Sequence, residues 1–101
     1  LFYLLKYKAL IINIKAFSGC SDLTSIVVEA GNTKYDSRNG CNAIIETITK
    51  KLICGCQTTI IPNSVTSIGS FAFAGCSGLT SVTIPNSVQQ YAVEPSKVVA
   101  A

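Results

Sequence analysis

"IPNSVTSIGSFAFAGCSGLTSVTIPNSV", residues Ile61 to Val88, begins and ends on the same five letters. The phrase IPNSV returns after 23 residues, and self-similarity at a fixed period of this length marks a stacked repeat. Inside the unit, "CSGLTSVTIP" sets Leu79, Val82 and Ile84 at the apolar places of an L-x-x-L-x-L strand. Thr80, Ser81 and Thr83 alternate with them and face outward, where small or β-branched side chains suit a strand surface. Pro85 ends the strand, because it has no amide hydrogen to give a ladder. "NSVTSIG" then reads as a turn and a second short strand, with Val65 and Ile68 turned inward and Gly69 as the stop. "SFAFAGC" offers Ala72, Cys76 and either Phe71 or Phe73 to plug the core, and Gly75 closes one helical turn or a tight bend.

The same words recur upstream. "AFSGCSDLTSI" at Ala16 to Ile26 and "AFAGCSGLTSV" at Ala72 to Val82 agree at eight of eleven positions, so Phe17, Cys20, Leu23 and Ile26 repeat the roles of Phe73, Cys76, Leu79 and Val82. Their offset of 56 residues is one 23-residue unit plus 33 more, which places an insertion at about 29–54. That stretch holds most of the charge. Its runs "NAIIETI" and "KLIC", separated by Thr49 and Lys50 and preceded by the turn-former Asn39-Gly40, predict a hairpin or a looped-out strand pair. A single unit buries only one edge of its apolar row, so about three or more must stack for stability.

Composition narrows the function. The net charge is +3, from 8 Lys and Arg against 5 Asp and Glu, yet no charged residue lies between Leu52 and Val93. A long uncharged segment cannot supply the basic face that displaces counterions from phosphates, which sets nucleic acid aside. The opening "LFYLLKYKALIINI" is too short, and too broken by Lys6 and Lys8, to span a bilayer. It also lacks a signal-peptide cleavage site, and is expected to be the ragged edge of a fragment. With no His in the chain, a Ser or Cys nucleophile has no ordinary base. Nothing pairs two of Asp22, Glu29, Asp36, Glu46 and Glu94 in a pocket, and no glycine-rich phosphate cradle is present. The expectation is a non-enzyme without metal or cofactor.

The five cysteines do not form a zinc pattern, since Cys54-Gly55-Cys56 is spaced too tightly. Cys20, Cys56 and Cys76 are expected at one equivalent position as a column of buried small side chains. Packed thiols are preferred to disulfides, which need a torsion that rung spacing alone does not deliver. The odd count leaves at least one thiol free or intermolecular, with Cys41 and Cys54 least constrained by the repeat.

"AFSGC-S-LTSI", the IPNSV unit and "GNTKYDSRNGCNAIIET" together resemble the BspA-like leucine-rich repeat family over roughly 12–88. The resemblance implies a leucine-rich repeat solenoid with short strands on both faces, in surface-exposed or secreted proteins that serve adhesion and protein binding. The expected fold is therefore mainly β: a solenoid fragment with short strands, one-turn helical segments and the inserted hairpin. Residues 1–11 form a degenerate or truncated N-terminal edge, and 89–101 a tail that abandons the repeat. Truncation is preferred to capping, because a cap presents a polar outer face and "LFYLLKYKALII" does not.

Aligned at the strand-ending prolines, Ser81 and Thr83 correspond to Thr58 and Ile60, and to Ser25 and Val27 in the first unit. These six form two columns on a flat, uncharged face, the candidate surface for a protein or other macromolecular ligand, a host's included. Two functions remain open: a binding or adhesion module, and a spacer without a ligand, stacked on further repeats of the same parent chain.

Overall fold

The computed structural model describes residues 2–6, 23–73, 79–91 and 98–100. Phe17, Cys20, Asp22, Gly75, Cys76 and Glu94 lie outside them. The described chain is mainly strand, in the order β1 (Phe2–Leu5), β2 (Ser25–Val28), β3 (Tyr35–Asp36), β4 (Ala43–Glu46), β5 (Lys51–Gly55), β6 (Ser67–Ile68), β7 (Val82–Ile84) and β8 (Val98–Ala100). A 3-10 turn over Arg38–Gly40 is the one helical element among the described residues.

Successive rungs pair in parallel. β1 lies on β2 with Phe2 opposite Ser25 and Leu5 opposite Val28, and β7 lies on β8 with Val82 opposite Val98. β5 pairs with β6, Lys51 opposite Ser67, and Ser67 bridges in parallel to Gln90. The shift from Phe2 to Ser25, and again from Ser67 to Gln90, equals the IPNSV interval of 23 residues. Parallel rungs one repeat apart are what a stacked repeat requires, since each unit leaves its backbone edge for the next to satisfy.

The insertion folds as an antiparallel hairpin, β4 against β5, with β3 added outside β4. The four-residue turn Thr47 to Lys50 replaces the two-residue Thr49-Lys50 connection suggested by the sequence. Lys50 adopts φ 60° to close it, and Ile48, assigned to a strand by its apolar neighbours, sits at the tip and is 85% exposed.

The pair is not looped out. Ala43 and Ile45 of β4 and Leu52 of β5 belong to one core, with Cys41, Ile61, Val65, Ile68, Ala72, Leu79, Val82 and Ile84. Ile44 and Cys54 belong to a second, with Leu5, Leu23, Ile26, Val28, Tyr35 and Cys56. The hairpin is the wall between them. A strand covered on both faces must be apolar without alternation, as Ala43-Ile44-Ile45 is. A bulge keeps the faces in step: Ile44 stands opposite Cys54 and Ile45 opposite Leu52, which leaves Ile53 unpaired and packed on the second core.

Two expectations within the repeat shift. Cys56 does not share the position of Cys20 and Cys76. With the prolines aligned, Cys56, Thr59 and Ile61 fall where Leu79, Val82 and Ile84 fall one unit later, and all six are buried. The thiol thus fills a leucine slot. Cys41 and Cys54, expected to be least constrained, are also buried and free of disulfides, because the hairpin that carries them is itself core. Of the two phenylalanines, Phe73 packs on the first core while Phe71 is exposed.

Candidate interaction surface

Alternation decides which side chains reach solvent. In β2, Ile26 and Val28 point inward, Val27 outward, and Ser25 is half-buried. In the segment before Pro62, Thr59 and Ile61 are buried while Thr58 and Ile60 are exposed; before Pro85, Val82 and Ile84 are buried while Ser81 and Thr83 are exposed. Ile60 is the extreme case at 79% exposed.

Three of these residues share one depression. A groove of about 240 Å³ runs between the Thr59–Ile61 segment and the Ser81–Pro85 segment, with Ile60 on one bank, Ser81 and Thr83 on the other, and Asn63 and Pro85 in its lining. Among the described residues, no backbone hydrogen bond joins the two banks, and the Ile60 amide instead donates to Cys41 O at 3.1 Å. No charged residue lines the groove. Asn63 and Pro85 were not legible as lining, because both belong to the IPNSV phrase and read as turn punctuation.

The other three candidates lie elsewhere. Ser25 and Val27 sit on β2, outside the lining. Thr58 is exposed, but its hydroxyl donates to Thr24 O at 2.5 Å, so it ties two units together rather than remaining a free donor. Thr59, the inward hydroxyl of the same segment, accepts from the Cys56 amide at 2.8 Å and donates to Asn42 O at 2.6 Å. A buried hydroxyl with both partners made carries no desolvation penalty.

Charge gathers on the insertion. Arg38 grips Asp36 in a two-point pair, Nε to Oδ1 at 2.8 Å and Nη2 to Oδ2 at 2.7 Å, and Thr47 donates to the same carboxylate at 2.7 Å. Burial opposes the Asp36 charge, but the hydrogen bonds from Arg38 and Thr47 together with the guanidinium charge outweigh it and hold the carboxyl below its ordinary range. Arg38 also reaches Ser64 Oγ of the first IPNSV at 3.3 Å, latching the insertion to the repeat. Ser37 accepts from the Val28 amide at 3.0 Å and donates to Ala43 O at 2.7 Å, so it joins β2 to the hairpin. Asn32 accepts from the amides of Lys34 and Tyr35 and donates to Lys6 O at 3.0 Å. Each polar group of the insertion named here holds structure together.

Burial pushes the Cys41 thiol up and the Cys54 thiol up to about 12, which keeps both protonated and poor as nucleophiles. Among the described residues no three His, Cys, Asp or Glu side chains are grouped to hold a metal ion, and no helix is long and apolar enough to cross a membrane.

Parallel pairing at the repeat interval, Phe2 on Ser25 and Ser67 on Gln90, with L-x-x-L-x-L side chains turned inward, defines a leucine-rich repeat protein. The chain belongs to the BspA type leucine-rich repeat region family, whose profile matches residues 4–53 and 46–94. No curated protein and no solved structure matched it. The family suggests a protein-interaction module, is generally non-catalytic, and is typically found in surface or secreted proteins.

Proposed function

We propose that this chain is a non-catalytic module of a surface or secreted protein, a leucine-rich repeat solenoid over about 12–88 that binds a protein ligand in adhesion. The observation that carries the reading is the uncharged groove between Ile60 and the Ser81–Thr83 bank. An exposed isoleucine beside hydroxyls, in a concavity free of charge, suits an apolar anchor ringed by neutral hydrogen-bonding groups, the usual composition of an interface centre. Ser25 and Val27, which align with Ser81 and Thr83 in the repeat, lie outside this groove.

The test is binding to a panel of immobilised serum and matrix proteins. Capture that changes little between low and high salt supports the reading, because an uncharged face has no ion pairs to screen. The double variant Ser81→Lys and Thr83→Lys is expected to abolish capture while leaving the fold intact. Capture that survives both lysines, or that collapses in salt, assigns the groove no role and leaves the module as a spacer.

A further inference from the structure

We propose that Asn39 is a site of spontaneous deamidation, placed so that its conversion acts on the Asp36–Arg38 latch. Of the six asparagines in the chain, only Asn39 is followed by glycine. Asn39 and Gly40 are both exposed, and both hold φ 59° at the crest of the turn. A Cβ built on Gly40 meets nothing within 4 Å, so nothing beyond its chain neighbours crowds that side of the residue. Among the described residues, no hydrogen bond engages the Asn39 side chain. The other described asparagines differ. Asn32 has its amide fixed at both ends, Asn42 is half-buried before the buried Ala43, and Asn63 and Asn86 each precede a serine, whose Cβ hinders approach to its own nitrogen.

The chemistry follows from that opening. The Gly40 backbone nitrogen attacks Asn39 Cγ; a ring C–N bond forms, the bond from Cγ to the side-chain nitrogen breaks, and ammonia leaves with the proton that the Gly40 amide gives up. Water then opens the cyclic imide at either carbonyl, yielding an aspartate or a β-linked isoaspartate. Both products place a carboxylate beside Arg38, and the β-linked one adds a methylene to the backbone of a turn closed by Cys41 N to Arg38 O at 3.2 Å. The new carboxylate competes with Asp36 and Ser64 for the guanidinium, and the hold of the insertion on the first IPNSV weakens.

The full chain is incubated at mildly alkaline pH in heavy-oxygen water, and the label is mapped by peptide mass spectrometry. Asn39 is expected to convert at least about tenfold faster than Asn63 or Asn86, a barrier lower by about 1.4 kcal/mol. Equal rates at the three sites overturn the proposal. The converted protein, and the variant Asn39→Asp that carries the charge from the start, are both expected to melt below the wild type; unchanged midpoints in both overturn the link to the latch.

Discussion

Gly55 shows how one residue records a close approach. A Cβ built there runs into the rim of the Phe73 ring, so the ring occupies the space that any other side chain needs. Gly55→Ala is expected to cost about 1–3 kcal/mol by overpacking, read from urea unfolding. Phe73→Leu in the same background should recover part of the loss, since the clash is with a side chain. A carboxylate held low by its partners stabilises the fold above the pKa of the unfolded chain, and that contribution disappears as pH falls through the folded value. Asp36 is such a group. The melting midpoint of the wild type should therefore drop in acid more steeply than that of Asp36→Asn, and equal slopes would deny the pair its role. Cys54 gives the third expectation at this scale. Buried with a thiol pushed up to about 12, it should resist a thiol-modifying reagent at neutral pH and react at once when the chain is denatured.

Among the elements, the hairpin carries the most consequence. Ile44→Ala should cost about 2–5 kcal/mol, as a core truncation does, whereas Ile48→Thr at the exposed tip should change unfolding free energy by no more than about 0.5 kcal/mol; similar losses at the two sites would mean that the wall is no wall. Much of this element was readable. The run Ala43-Ile44-Ile45 and the Asn39-Gly40 dipeptide pointed to strand and turn, and L-x-x-L-x-L gave the inward residues of β7. The two-sided burial was also present in that unbroken apolar run, but within a charged insertion the run suggested a hairpin or a looped-out strand pair. Cys56 was misplaced for a different reason. A glycine precedes each of Cys20, Cys56 and Cys76 and suggested one shared register, whereas aligning Pro62 on Pro85 sets Cys56 with Leu79. The groove was the least legible feature, because a gap between rungs depends on which backbones pair, and residue types do not report that.

The whole molecule divides its labour by charge. The described lysines, arginine and acidic residues all precede Leu52, while the groove lies in the uncharged stretch after it. The latch residues therefore organise the fold, and the face proposed for recognition carries none of that charge. Solenoid-like chains ordinarily behave as strings of neighbouring units that can loosen one at a time. The wall built by β4 and β5 changes that expectation, since Ile45 and Leu52 serve one core and Ile44 and Cys54 the other. Neither half can open without uncovering the back of the other. Amide hydrogen exchange should then find Ile44, Ile45 and Leu52 protected to a common, global limit, with the flanking rungs exchanging by smaller excursions, and the inserted hairpin marking the free energy at which the whole fold opens.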